Sequence, residues 1–264
     1  QRYPTGCILL AIPDGPAPMN DVRMRRALNL ALNRSIGAEL LSRLSEIRWP
    51  GALLPPQDPR ALGSAALQKL DGFASDITAS RVQARSLLAQ AGVAKGFHFS
   101  VLAPDLEQPW QVVATWLVDQ WRQIGLAPEV DLRAPVDYNS TRRLDSPWPR
   151  VVLVQHCVDT GDSVTALGAL LSLDGDRLPP QASMGVAVDA GLAGLWRTVL
   201  HSDSPAEQQV GISELQIRLI SQGRVIPTFW TQRITLTREA LQGWQIAFSA
   251  ADNGDLTRLK LKAP

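Results

Sequence analysis

Short apolar runs alternate along this chain with longer stretches whose apolar residues recur at the helical period, and that alternation points to an α/β fold. Cys7-Ile8-Leu9-Leu10-Ala11-Ile12 and Val151-Val152-Leu153-Val154 are unbroken apolar runs of the kind a buried strand carries. Further strands are predicted over 97–102, 129–133, 225–229 and 234–237. Between them, helical spacing predicts helices over 22–31, 36–44, 78–91, 108–124, 164–172, 189–201 and 205–222. Asn20 or Asp21 can cap the first, and Gly92 and Gly125 stand where two others should stop. The proline-rich segment from Trp49 to Gly63 reads as an extended loop, long enough to suggest a functional role. This order of elements predicts a mixed, mostly parallel sheet flanked by helices, in one lobe of roughly the whole 264 residues.

Composition excludes several classes. Twenty-six Lys and Arg against 25 Asp and Glu leave a net charge of +1, so no global field directs the chain to nucleic acid or an anionic membrane. With 45% hydrophobic and 19% charged residues, disorder and coiled coil are excluded. No apolar run reaches the ~18 residues of a membrane-spanning helix. Cys7 and Cys157 are too few for a disulfide scaffold and too far apart for a metal knuckle. The residues after Gln1 show neither the basic start nor the apolar segment of a leader, so no targeting segment is expected within the chain.

Catalytic and cofactor motifs are missing. There is no G-x-S-x-G, no G-x-x-x-x-G-K-[ST], no G-x-G-x-x-G after a strand and no H-E-x-x-H. His98, His156 and His201 share no ligand spacing, so no metal site is expected. Asp174-Gly175-Asp176 opens like a calcium loop but the rest of the pattern is absent, leaving a turn. Arg23, Arg25 and Arg26 suit a solvated helix face better than a phosphate site. Trp116 and Trp121 fall on an apolar helix face and read as core. Trp49, Trp110 and Trp148 lie in or beside loops, which suits stacking on a ligand or another domain. No enzyme, catalytic residue or cofactor is expected.

One constellation remains. In α/β sheets ligands bind beyond the carboxyl ends of strands, and the strand 151–154 runs into Gln155-His156-Cys157-Val158-Asp159-Thr160-Gly161-Asp162. Asp162 or Ser163 can cap the following helix, or serve a ligand. Asp159 lies too early to cap comfortably; its carboxylate can hold a cation such as an α-amino group, or it can form a turn.

The sequence resembles the C-terminal lobe of the family 5 extracellular solute-binding proteins, the peptide and nickel receptors of ABC importers. Asp21-Val22-Arg23-Met24-Arg25-Arg26-Ala27-Leu28-Asn29-Leu30-Ala31-Leu32-Asn33-Arg34 is similar to that family's D-x-R-V-R-x-A-L-N-x-A-I-D-R helix. Ala84-Arg85-Ser86-Leu87-Leu88-Ala89-Gln90-Ala91-Gly92, then Gly96-Phe97, resembles A-x-x-L-L-x-E-A-G…G-F. The stretch from Leu117 to Gly125 and Ile226-Pro227-Thr228-Phe229 resemble a helix end and the I-P-L-F strand.

The resemblance implies a lobe of the type II periplasmic-binding-protein fold. It places Asp159 at the aspartate of G-W-x-x-D, which in peptide receptors holds the ligand's amino terminus. Gln155 and His156 replace that pattern's glycine and tryptophan, with Cys157 between them and the aspartate. Tyr138 and Arg142 fall near positions where some members place an aromatic and a basic ligand contact. The implied partners are a peptide-like small molecule, an N-terminal lobe absent from these 264 residues, and an ABC permease, with no nucleic acid in this segment. The implied location is periplasmic or otherwise extracytoplasmic. The segments 7–12 and 234–237 should lie together at one edge, where they lead to the other lobe. The alternative is a metabolite-sensing lobe of a cytoplasmic helix-turn-helix regulator.

Overall fold

The computed structural model describes residues 2–12, 16–141, 149–156, 167–168, 170–172, 186–187, 189–234, 236, 238–239, 241–243, 257 and 259–261. In chain order they form strand β1 (Arg2–Ala11), helices α1 (Val22–Leu30) and α2 (Arg34–Leu41), strand β2 (Ile47–Pro50), and helices α3 (Ser64–Leu67) and α4 (Ile77–Gln90). Strand β3 (His98–Pro104), helix α5 (Val112–Arg122), strand β4 (Ala127–Arg133), helix α6 (Pro135–Thr141) and strand β5 (Arg150–His156) follow. The short strands β6 (Leu171–Ser172) and β7 (Val186–Ala187), helices α7 (Ala190–His201) and α8 (Pro205–Gln222) and strand β8 (Val225–Ile234) come next. Two short strands, β9 (Leu241–Gln242) and β10 (Lys260–Leu261), pair with each other.

Six strands make one sheet in the order β2-β8-β1-β5-β3-β4. Strands β3, β4, β5 and β8 point one way, and β1 and β2 the other. The sheet is mostly parallel in that sense. Because β1 runs against both neighbours, the pairings β1–β5, β1–β8 and β2–β8 are antiparallel, and only β3–β4 and β3–β5 are parallel.

The apolar run of β1 has a direct cause. Ile8, Leu10 and Ile12 face one core, beneath α1, α2, α4 and α5. Cys7, Leu9 and Ala11 face a second core, covered by α7, α8 and the segment around Leu53 and Leu54. A strand buried on both faces has no polar alternation to show. The segment after β2 that resembled a functional loop is packing: Leu53 and Leu54 are buried and Gly51 donates its N–H to the Thr228 carbonyl (2.8 Å). Trp49 belongs to β2 and packs against the second core.

Side-chain caps fix the helix starts. Asp21, Asn33, Asp76, Asp189 and Ser204 each accept a backbone N–H in the first turn of α1, α2, α4, α7 and α8 respectively. Helix α8 stops at Gly223, whose φ of 63° lies in the left-handed region that glycine enters freely. The helix expected from Gln108 opens with a π-helical turn, Glu107–Gln111, and regular α-helix starts at Val112. Pro109 offers no N–H and restricts the residue before it, and Gln108 is extended (φ −128°, ψ 139°).

Two other expectations change. β8 is one strand that ends at Ile234, and Leu236 is in no strand; 235 and 237 lie outside the described residues. Arg2 pairs with Ile234, which brings those segments together, but between the middle strands and not at an edge. Of the helix predicted over 164–172, residues 167–168 are helical and Leu171–Ser172 is strand, while 164–166 and 169 lie outside the described residues.

Candidate functional site

Parallel strands deliver their carboxyl ends to one end of the lobe. There β3 ends at Pro104, β4 at Arg133, β5 at His156 and β8 at Ile234, and β1 begins. Two connections at this end are bound together. The Asp105 N–H donates to the Arg133 carbonyl (2.6 Å), and the Gln111 amide donates to Asp105 (2.9 Å). Arg133 forms an exposed ion pair with Asp131 (2.6 Å), whose hydrogen bond holds the guanidinium above its ordinary range.

Tyr138 sits differently from the ligand contact its place in the resemblance implies. Its ring is buried, its hydroxyl donates to the Leu153 carbonyl (2.8 Å), and it packs against Trp110 (centroids 6.5 Å apart). It anchors α6 to β5. Trp110 is correspondingly partly buried against the first core, and Trp116 and Trp121 belong to that core as expected. His156 ends β5 with its Cα opposite Cys7; its side chain lies outside the described residues. Arg142, Cys157, Asp159, Asp162, Ser163 and Trp148 lie outside them too.

Gln155 stands where the family pattern has glycine. It is exposed, and a Cβ on Gly6 would come within 2.7 Å of its Nε2, so Gly6 makes room for the Gln155 amide to lie across β1. The sequence signal was the pair of departures at 155 and 156, but the compensating glycine is distant in the chain.

The arginine-rich motif is built into the frame. Arg25, expected on a solvated face, is buried and donates to the Gln222 carbonyl (2.9 Å) and the Asn20 carbonyl (2.7 Å). Arg34 is 3% exposed and donates to the Pro227 carbonyl (2.9 Å), the Gly72 carbonyl (2.6 Å) and Asn29 Oδ1 (2.5 Å). It also lies 4.4 Å from the centroid of Phe73. Burial pushes this guanidinium down to about 9, with the Cys7 thiol acting the other way. Arg26 pairs with Asp71 (2.6 Å) beside a shallow cavity of about 330 Å³, lined by Val22, Lys69, Leu70 and Ser221 as well. That cavity adjoins the start of α1 and the end of α8, away from the carboxyl ends of the strands.

Among the described residues no group of three or more His, Cys, Asp or Glu is placed to hold a metal ion. No helix among them is long and apolar enough to cross a membrane. Cys7 is buried, and its Sγ donates to the Ala52 carbonyl (3.4 Å).

This two-faced α/β lobe brings the carboxyl ends of four strands to one end, where ligands bind in open α/β sheets. The chain is a member of the bacterial extracellular solute-binding proteins, family 5: residues 2–176 match the model of that family's middle region. No curated protein matches it by sequence. Among solved structures it is similar to the periplasmic binding protein DppA from Helicobacter pylori in complex with the peptide STSA. There the TM-score is 0.76 at 14% identity, over 100% of this chain and 49% of that one. Haemophilus influenzae OppA in complex with RPPGFSPFR gives 0.74 at 17%, over 99% and 50%. AgaA from A. tumefaciens R10, in complex with agropinic acid, gives 0.75 at 15%, over 100% and 52%. The chain thus spans about half the length of the structures it resembles.

Proposed function

We propose that this chain is the C-terminal lobe of an extracytoplasmic solute receptor, which closes with an N-terminal lobe on a peptide or similar small solute and presents it to an ABC permease. The match of residues 2–176 to the family carries this reading. The fold supports it. β5 lies between β1 and β3 with Val151–Leu153 fully buried, so the sheet holds rigidly the strand that leads to Asp159. DppA and OppA are seen in complex with peptides, and AgaA with a different small solute. The function is binding; no turnover is invoked.

Within this reading Asp159 holds the ligand's amino group, and His156, Cys157 and Arg142 shape the pocket around it. Tyr138 is left out because its hydroxyl already bonds Leu153. A charge-assisted hydrogen bond contributes about 1.5–3 kcal/mol. Removing one member of a buried charge pair costs about 3–5 kcal/mol, since the other charge is left uncompensated. Asp159→Ala in the full-length receptor should therefore weaken binding of a free-amine ligand by roughly a hundredfold or more. An N-acetylated ligand should bind poorly from the start and lose little further. Calorimetry on the four combinations of protein and ligand is the test. Equal losses for free and acetylated ligands would remove the amine-anchor role and leave Asp159 a turn residue. Nanomolar peptide binding by residues 1–264 alone would reject the two-lobe reading.

A further inference from the structure

Helix α2 carries large apolar residues on both sides. Gly37, Ala38 and Leu41 turn inward, while Ile36, Leu40 and Leu44 are 50%, 49% and 58% exposed. Their spacing of four places all three in one stripe. The stripe survives past the end of the regular helix, because Ser45 N–H still bonds the Leu41 carbonyl (2.9 Å) and Leu44 N–H does so at 3.0 Å. The Glu39–Arg43 ion pair (3.2 Å) also lies on the exposed side of this helix. Scattered exposed leucines are ordinary, but a contiguous row marks a contact surface.

The position of the row narrows its occupant. Leu44 lies two residues before Glu46, whose carbonyl accepts the Gln232 N–H (2.8 Å). Gln232 is two residues from Ile234, and Ile234 pairs with Arg2. The stripe therefore starts at the end of the lobe where β1 enters and β8 leaves, and runs back about 12 Å along the helix. Three half-exposed side chains offer far less than the ~800 Å² per partner that a stable complex between separate molecules buries. So small an apolar contact is useful only where a tether supplies the local concentration. The structures this chain resembles are about twice its length.

We infer that the Ile36–Leu40–Leu44 stripe is covered by the second lobe of the full-length protein, in a contact made within one molecule. This rests on the two-lobe reading proposed above. Such a contact places a hydrophobic stop beside the connecting strands and fixes how the lobes stand relative to each other.

The test is thiol labelling of the full-length protein carrying Leu40→Cys, with Leu44→Cys as a second position. Val210→Cys on α8, 67% exposed, is the reference. A maleimide reagent is used, and each site is read by peptide mass spectrometry. Relative to its own rate in urea, Leu40→Cys should label at least about tenfold more slowly, equivalent to about 1.4 kcal/mol of opening, and Val210→Cys should show almost no protection. Protection should not change with protein concentration. Labelling of Leu40→Cys and Leu44→Cys as fast as Val210→Cys, in a chain about twice this length, overturns the contact and leaves the two-lobe reading intact. Protection that grows with concentration overturns it in favour of a second copy. A full-length chain no longer than this one overturns both.

Discussion

Arg34 offers a direct test of how the frame is held. It is a buried cation that donates to two backbone carbonyls and one amide oxygen, and these acceptors belong to three separate parts of the chain: Asn29 at the end of α1, Gly72 in the connection before α4, and Pro227 in β8. The ring of Phe73 covers it at 4.4 Å. Asn29 is in turn tied to the Asp71 carbonyl (2.8 Å), so one fork clamps α1, that connection and β8 together. Replacing a buried ion pair by apolar residues can be neutral, because both charges leave at once. Here two of the acceptors are backbone carbonyls and cannot be replaced, so Arg34→Met fills the volume and strands them.

Each stranded acceptor costs about 1–3 kcal/mol and the lost cation–π contact adds up to about 2 kcal/mol, against which the relief of burying a charge works in the opposite direction. A net loss of about 3–5 kcal/mol for Arg34→Ala follows, with Arg34→Met losing somewhat less and Arg34→Lys about 2–3 kcal/mol, since one ammonium cannot span the fork. Equilibrium urea unfolding should show a lower midpoint at unchanged slope, and the melting temperature should fall by roughly 6–20 °C for Arg34→Ala. The sign of any pH effect is fixed as well. The folded value of about 9 lies well below that of the unfolded chain, so the group is protonated in both states below about pH 9 and adds no slope between pH 5 and 8. Stability rises through this group only above that, where the unfolded chain holds the extra proton. An Arg34→Met protein as stable as the parent would show that the fork contributes nothing beyond packing.

Gly37→Ala should destabilise the protein by about 1–3 kcal/mol despite the better helix propensity of alanine, worth about 1 kcal/mol. The new Cβ would come within 2.6 Å of Trp116 Cζ2 and 2.8 Å of Phe229 Cζ, whose rings meet edge-on at 4.8 Å; a raised melting temperature would show that these rings yield easily. Asp189 accepts the Leu192 N–H (2.7 Å) and the Gln222 amide (2.6 Å), and the backbone bond chiefly holds its carboxyl below the ordinary range. Its contribution is present at neutral pH and lost as pH falls through that depressed value, so Asp189→Ala should cost about 0.5–2 kcal/mol at pH 7 and progressively less in acid. A difference between the two proteins that stays constant down to pH 2 would contradict the cap.

Local signals carried the strands and helices whose causes are local. The run 7–12 is unbroken because both faces of β1 are covered, and α4 and α5 end just ahead of Gly92 and Gly125, both at positive φ. What failed depends on partners far away in the chain. Arg34 and Pro227 are 193 residues apart and Arg25 and Gln222 are 197 apart, so neither arginine could be told from a surface charge by its neighbours. Trp49 and Trp110 looked available for stacking because their neighbours are loop residues; tertiary packing puts them against the two cores. The site was legible only as a strand end and a resemblance. The motif behind that resemblance divides by role. Asp21 caps α1, and Arg25, Asn29 and Arg34 bind carbonyls or one another to hold the frame. None of them faces the carboxyl ends of the sheet through these bonds. A sequence that keeps this motif therefore preserves the lobe without committing it to a ligand. Under the proposed two-lobe reading, Gln155 and His156, where the pattern departs at the end of β5, are the positions at which to test ligand choice.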